Sequence, residues 1–592
     1  MLEEFIPSMI WLLFVSFSLG FALTREKNLM AMGFGLALFS VLSIVFNLVG
    51  IPLNWLVFLA ISIAIFAYFI YKKELVLKIE KPDLALALVL LFALVNVYVF
   101  WIGATSYPYL EDDDPWVHAV GAEWITQTGS YSRYFDGTNF FRLYIEPYPP
   151  AYDILMGVLH QMTSSVSNTL KFYNALLCGL SLVFAFYAIT ELTKDRRIGL
   201  FSAFFLLVLP SFMGHFIWAQ TLAMLLLFVS FYGLEKSFSD KRFIVPAGIA
   251  IGAITLTQPS VSAVFFLLFL AYAIARLDRF GKDVLKTLAI IGLIALVVAA
   301  AYYIPTLLKY GPEYTSIGIG FFETLFSPGA TGDTSAGQAY SLEDFIFAKP
   351  EGKIDQQIGI GLVISALAIL GFALALLEMH AGNKGIWMPC AAIWFVLCIF
   401  GTQGDAMPLK LFPHRFWVFL SIPVAILAAY AYTRIEQRLR EYSLLILAIV
   451  VLSVLATSAY PKYLHQTSLW TPGTAFYSTN EVNGYMYMKT NLPKNTLVFP
   501  LCSPDLKVIG SDMLSEPYVK DYEIFKRSAM NKTPGEVYSF LSSRNYSYIV
   551  LDSTCITEMG EAKANELLSS YGKSGDFEEV PFNGAFYIFR IK

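Results

Sequence analysis

Apolar runs of roughly 18–22 residues recur along this chain, each the length a helix needs to cross the hydrocarbon core of a bilayer. They lie near 5–23, 29–48, 52–71, 84–104, 168–190, 197–214, 218–234, 243–257, 259–275, 285–303, 358–377, 386–402, 416–433 and 442–460, which predicts about fourteen crossings. Lipid has no partner for free backbone N–H and C=O groups, so each run must be helical. Composition agrees: 57% of the 592 residues are hydrophobic and 15% charged, against about 25% charged in soluble proteins. A net charge of −4 leaves no basic footprint for nucleic acid. The five cysteines have neither the density of a disulfide scaffold nor the paired spacing of a zinc site. Glu3 and Glu4 precede the first run, where a cleaved signal peptide would be basic.

Lys and Arg fall in alternate loops: Arg25 and Lys27; Lys72, Lys73, Lys78 and Lys81; Lys194, Arg196 and Arg197; Lys236, Lys241 and Arg242. The series continues with Arg276, Arg279, Lys282 and Lys286, then Lys384, then Arg434, Arg438 and Arg440. About 20 lie on that side and about 8 in the opposite loops, so the richer side is read as cytoplasmic. Both termini, segments 105–167 and 304–357 and everything after 460 are then extracytoplasmic, in a multi-pass protein of the cell membrane. No Asp, Glu, Lys or Arg falls at mid-depth of a run, where pumps and ion-coupled carriers need one. That counts against a transporter.

The polar chemistry sits in the outer segments. The first contains Glu111-Asp112-Asp113-Asp114-Pro115-Trp116-Val117-His118. Asp114 before Pro115 predicts a helix start, with Asp114 as N-cap and Pro115 at the first helical position, running to Gly129. Trp116, Val120 and Trp124 repeat every four residues, a one-sided stripe suited to the membrane interface. Asp112 and Asp113 would project just ahead of that helix. Four consecutive acids repel one another unless a cation or substrate is near. Further on, Glu146-Pro147-Tyr148-Pro149-Pro150-Ala151-Tyr152-Asp153 predicts a rigid turn that re-enters the membrane. With His118, its Glu146 and Tyr148 are candidates to line a substrate cavity. His215, Trp218, Gln220 and Gln258 stand at other outer helix ends, and Gln258 joins the cavity candidates. Near 404–416, Lys410, His414 and Arg415 crowd the outer edge of a span against the overall charge bias. Snorkelling to headgroups accounts for such a cluster, and so does a clamp for a lipid phosphate, which the fork of Arg415 suits. Within 304–357, Ser327–Gly337 is small and polar with Phe321, Phe322, Phe326 and Phe345 around it, the composition of a mobile loop or a plain connector.

After Tyr460 the hydropathy falls. Helices are expected at 481–492, 535–544 and 561–571, strands at 496–500 and 546–551, and a final hairpin about Asn583-Gly584: a small α/β domain. Cys502 and Cys555 each lie just past a predicted parallel strand, so they can meet in a disulfide; the other three cysteines read as inert core. Asn545-Tyr546-Ser547 is an acceptor sequon, in keeping with an outside location.

The run Asp113-Asp114-Pro115-Trp116-Val117-His118, with the later Ala122-Glu123-Trp124, Gly129-Ser130-Tyr131, Phe135-Asp136 and Tyr148-Pro149-Pro150, resembles the first external loop of the GT-C superfamily of membrane glycosyltransferases. It is most similar to the catalytic subunit of oligosaccharyltransferase. The resemblance implies an α-helical polytopic membrane protein of about fourteen spans with a C-terminal extracytoplasmic α/β domain. Residues 1–83 would be additional helices, 84–460 the GT-C-like catalytic module, and 461–592 the outer domain. It also implies that an Arg at the start of a late span, here Arg415, contacts the donor phosphate, with His414 and Lys410 in support, and that the loop in 304–357 orders over a lipid donor. The Trp-Trp-Asp of oligosaccharyltransferases is missing: the last Trp is Trp470, and the corresponding stretch reads Phe499-Pro500-Leu501-Cys502-Ser503-Pro504-Asp505.

The expected activity is therefore inverting transfer of a sugar from a polyprenyl-phosphate or diphosphate carrier to an outside acceptor, be it a glycan, lipid or protein. A carboxylate among Asp112, Asp113 and Asp114, Asp113 first, would take the acceptor's proton. Alternatively Asp112 and Asp114 would hold a divalent cation, Mg or Mn, that polarises the hydroxyl. A phosphate leaving group needs positive charge rather than a general acid. Competing readings are oligosaccharyltransferase-type transfer of a glycan to protein, and a non-enzymatic flippase or exporter of lipid-linked sugar.

Overall fold

The computed structural model describes residues 2–74, 83–132, 146–280, 282–311, 340–350, 357–382, 385–403, 413–470, 477–517, 519–582 and 586–592. Every one of the fourteen apolar runs is helical. Through residue 310 the helices are α1 (Ile6–Thr24), α2 (Met30–Leu48), α3 (Trp55–Tyr71), α4 (Leu84–Thr105), α5 (Asp113–Thr128), α6 (Ala151–His160), α7 (Val166–Thr193), α8 (Arg196–Val208), α9 (Gln220–Ser239), α10 (Ile244–Thr255), α11 (Pro259–Phe280) and α12 (Lys282–Tyr310). Then come Leu362–His380, Trp387–Gly401, Pro413–Arg438 and Ser443–Val454, the last continuing as helix to Thr467.

Among the described residues ten helices are long and apolar enough to cross a membrane, fewer than the fourteen expected. The difference has a physical cause. Four of the runs form shorter helices: α3 has 17 residues, Trp387–Gly401 has 15, α8 has 13 and α10 has 12, and the last two rise only about 20 Å, short of a hydrocarbon core of about 30 Å. After α8 the chain runs irregularly to α9, and after α10 three residues lead into α11. At the end of α8 the orphan carbonyls of Leu207 and Phe212 accept from the buried Lys462 Nζ at 3.0 and 2.9 Å, which satisfies groups that lipid could not. Lys462 also shows that the last span runs beyond 460, the boundary expected from hydropathy. The central helix is Pro413–Arg438, enclosed along its apolar length.

Residues 1–83 are built into this body. Phe34 of α2 packs on Tyr232 and Phe243. Asn47 accepts from Ser130 Oγ and donates to Ser132 Oγ, and the side chain of Gln161 bonds Leu53 O and Trp55 N. In the second outer segment a short hairpin pairs β1 (Lys349–Pro350) with β2 (Gln357–Ile358). Tyr340 and Phe345 pack on Trp417; residues 312–339, with the expected loop 327–337, lie outside the described residues.

The C-terminal unit carries β3 (Val498–Pro500), β4 (Tyr548–Leu551), β5 (Phe577–Val580) and β6 (Tyr587–Ile591) in one sheet of order β3-β4-β6-β5. β3 and β4 are parallel, and the other pairs are antiparallel. Helices Thr479–Asn491, Pro534–Ser543 and Glu561–Lys573 fall where hydropathy put them, while Asp505–Gly510, Lys520–Ala529 and Thr554–Met559 were not expected. Capping boxes at Ser478/Glu481 and Thr533/Glu536 start two of them. Cys502 and Cys555, just past β3 and β4, are bonded with a Cα separation of 5.1 Å. Cys178, Cys390 and Cys398 are buried thiols. Asn545 is exposed on a turn, and Asn583-Gly584 lies outside the described residues.

Candidate functional site

Pro115 does not open α5. Asp112 is the N-cap, its backbone extended and its Oδ1 accepting from Asp114 N at 3.0 Å, with Asp113 and Asp114 in the first turn. Pro115 is tolerated there because the N–H it lacks would be one of the first-turn donors without a helical acceptor. The carbonyl of Glu111 accepts instead from Tyr477 N in the C-terminal unit, at 3.2 Å. The expected interfacial stripe is also corrected. Trp116 and Val120 are buried; Trp116 packs on Tyr109, Tyr477 and Tyr485 and donates from Nε1 to Leu110 O. That face of α5 meets protein, not lipid.

The acids divide by direction. Burial, then the negative charges of Asp113 and Asp114, raises Asp112 well above the carboxylate range. Burial raises Asp113 as well, opposed by a hydrogen bond from Asp112 and by the Lys507 ammonium. Asp112 and Asp113 are thus an interacting pair, with both carboxyls raised by burial. Asp114 acts on the other side, on the hydroxyl of Tyr148. Burial followed by the charge of Asp114 holds that phenol above its ordinary value, while the Arg415 guanidinium pulls it down. Tyr148 therefore lies within electrostatic reach of both charges. Glu111 is enclosed behind the motif, and burial pushes its carboxyl up to about 7; its Oε1 accepts from Ile217 N at 3.2 Å.

Arg415, in the first turn of Pro413–Arg438, meets the starts of two other helices. Its Nη1 donates to Ser260 Oγ at 2.8 Å and to Gln220 Oε1 at 3.5 Å, and its guanidinium stands 5.7 Å from the Trp218 ring. Gln220 opens α9 and Ser260 lies in the first turn of α11. Three helix N-termini thus converge where the partial positive charge of each adds to the guanidinium. Gln258 is a cap rather than a wall: its Oε1 accepts from Val261 N at 2.8 Å and from Ser260 Oγ at 2.6 Å. It fixes the hydroxyl that Arg415 holds. His414 is buried beside Arg415. Lys410 lies outside the described residues.

His118, one turn past Asp114 on α5, is buried with its Nδ1 2.7 Å from Asp153 Oδ1 on α6. Its ring faces Tyr148 and Tyr152 at 6.0 and 5.0 Å between centroids. Gly121 permits this approach: a Cβ there would stand 2.5 Å from Asp153 Oδ2. Glu146, joined to Pro147 by a cis bond, pairs with Lys309 and accepts from Tyr310 Oη at 2.7 Å. It clasps the turn to the end of α12. Lys171, not singled out in the sequence, donates to Tyr107 O at 2.8 Å and anchors the approach to the acid motif. Ser260 and Lys507 were likewise missed: a lone Ser or Lys carries no pattern until the fold gives it a neighbour.

Asp112 spends one oxygen on the cap of α5. Among the described residues no three His, Cys, Asp or Glu side chains are grouped as a metal would require. No step below is routed through a cation.

The polytopic architecture matches the crystal structure of ArnT from Cupriavidus metallidurans in the apo state. The match has a TM-score of 0.52 at 14% sequence identity, and covers 85% of this chain and 98% of that one. At that identity the likeness concerns the fold: this is a polytopic membrane protein with an ArnT-like fold and a small C-terminal sheet region. No curated protein matches the sequence. The profile of DUF6541, a family of unknown function, matches residues 22–493, and the chain belongs to that family.

Proposed function

We propose that this protein is a membrane glycosyltransferase that moves a sugar from a polyprenyl-phosphate or diphosphate carrier to an acceptor on the extracytoplasmic face. The observation that carries the reading is the Arg415 guanidinium, held at the starts of α9 and α11 by Ser260 and Gln220, with the Tyr148 hydroxyl within electrostatic reach of it and of the Asp114 carboxylate. The GT-C-like fold supports it. Absence of Trp-Trp-Asp favours an acceptor other than a sequon asparagine, and the Lys and Arg bias favours an outward-facing site.

In this reading Asp114 takes the proton from the acceptor hydroxyl as its oxygen attacks the anomeric carbon. The bond from that carbon to the carrier phosphate oxygen breaks, and the phosphate leaves with the electron pair. Arg415, oriented by Ser260 and Gln220, receives the charge that develops there, with the ends of α9 and α11 adding to the field. A single displacement inverts the anomeric centre. Tyr148 lines the space between, and His414 backs the cradle.

The test incubates purified protein with radiolabelled polyprenyl-phosphate hexoses and a panel of glycan, lipid and peptide acceptors, with and without EDTA. Transfer that survives chelation and disappears in Asp114→Asn and Arg415→Ala is the expected result. Transfer unaffected by both substitutions contradicts the assignment.

A further inference from the structure

The reaction above uses Gln220 only to orient Arg415, and that leaves half of its carboxamide unused. Gln220 is the first residue of α9 and is 1% exposed. An arginine offers donors and no acceptor, so the carboxamide oxygen is the atom turned to Arg415: Oε1 accepts from Nη1 at 3.5 Å. The Nε2 group is bonded to the same carbon and therefore lies beside the guanidinium as well. It has no hydrogen-bond partner among the described residues. A buried donor without an acceptor has lost its hydration and gained nothing in return, and such groups are rare unless something else meets them.

The surroundings define what that donor can meet. α9 begins at Ala219 without a side-chain cap, so the positive end of its dipole adds to the guanidinium at this point. The Ser260 hydroxyl is engaged on both sides, donating to Gln258 Oε1 at 2.6 Å and accepting from Arg415 at 2.8 Å. Trp218, whose ring stands 5.7 Å from the guanidinium, has an indole N–H and no acceptor. Donors and positive charge thus collect at the start of α9, and a ligand that satisfies them must bring anionic oxygens. A phosphoryl group carries several on one centre, so the Arg415 fork can take one and Gln220 Nε2 the next.

We propose that Gln220 is a second phosphate-binding residue of the donor site: Nε2 donates to one oxygen of a lipid phosphate while Oε1 keeps the Arg415 fork on another. The proposal deepens the transferase reading and rests on its assignment of the lipid phosphate to Arg415. The ligand chemistry is that of a phosphate ester on a lipid, which a polyprenyl carrier and a phospholipid headgroup share. In the transfer, charge grows on these oxygens as the carrier phosphate leaves, and the Nε2 contact strengthens with it.

Full-length protein in detergent is titrated with polyprenyl monophosphate and with the matching polyprenol, and the ratio of the two affinities isolates what the phosphate contributes. Gln220→Met should lower that ratio about tenfold and Arg415→Met about 10²-fold. The double variant separates direct contact from action through Arg415. A further fall of about fivefold from Arg415→Met to the double variant is expected where Gln220 touches the phosphate itself. No further fall, a ratio already at one in Arg415→Met, or a parental ratio in Gln220→Met overturns the proposal. Should Gln220→Met not fold, Gln220→Glu keeps the acceptor for Arg415 and removes the donor, and a parental ratio in that variant overturns the proposal equally. Phosphatidic acid distinguishes the two sources of phosphate: tighter binding of polyprenyl monophosphate is expected. Equal binding of phosphatidic acid, lost in Gln220→Met, supports the Gln220 contact and contradicts the carrier as its ligand. A parent protein that transfers no sugar defeats the transferase reading, and the affinity ratios still decide the role of Gln220.

Discussion

Asp112, Asp113 and Asp114 open a helix that the C-terminal unit covers, whereas Arg415 meets Trp218, Gln220 and Ser260 of the membrane body. The two regions face opposite electrostatic problems. Three adjacent carboxylates repel one another, so the negative side needs outside help, and Tyr477 of the C-terminal unit supplies a backbone donor to the Glu111 carbonyl. On the positive side, polar groups at helix starts hold the fork of Arg415. This difference explains why the acid motif is visible in a short stretch of sequence while the cradle is assembled from three distant helix starts.

The largest effects should come from the charges that face Tyr148. Asp114→Asn and Arg415→Ala should each lower kcat/KM for transfer by about 10³-fold. Asp112→Asn, in contrast, should keep most activity and the parent thermal midpoint. Asn caps a helix as well as Asp does, and burial already disfavours the charged form of Asp112. Equal losses in Asp112→Asn and Asp114→Asn would erase the distinction between the two sides of the motif.

Next in size is the cradle. Ser260→Ala removes the hydroxyl that Arg415 holds and should raise the donor KM about tenfold. Gln258→Ala should produce a part of the same effect, because Gln258 acts only through Ser260. A steady-state titration of donor against each variant checks this order, and a larger loss in Gln258→Ala reverses it.

The smallest effect concerns pH. Glu111 has its carboxyl raised in the folded protein to about 7 from 4.5, so the folded state binds the proton more tightly than the unfolded chain. Stability from this group is fully present below about pH 4.5 and is lost as pH rises through about 7. Glu111→Gln should flatten the fall in thermal midpoint between pH 5 and about 8, read in detergent by intrinsic fluorescence. An unaltered slope in that variant would mean that Glu111 is not the buried group responsible.

Much of the fold was legible because lipid imposes one rule on every span: apolar length and helical backbone. All fourteen runs are helices for that reason. The rule overcounts at α3, α8, α10 and Trp387–Gly401, since hydropathy sees continuous apolar residues and not the point at which a helix stops, as at the end of α8, where the Leu207 carbonyl turns to Lys462. The start of α5 was displaced because Asp-Pro is a strong local signal, and tertiary contact from Tyr477 moved the cap two residues earlier. The stripe on that helix was real, but periodicity alone cannot distinguish burial against protein from burial in an interface. Gln258 was named for polarity at a helix end and turned out to be a cap. Ser260, Lys171 and Lys507 carry no motif at all; only their neighbours give them meaning.

The most direct measurement of the central claim is a cryo-EM reconstruction of the full-length protein with polyprenyl monophosphate bound. The account predicts the phosphate within hydrogen-bond distance of the Arg415 guanidinium and Ser260 Oγ, in one cavity with Tyr148 and the Asp114 carboxylate. A phosphate bound on another face, with Arg415 and Asp114 opening to separate surfaces, would contradict it.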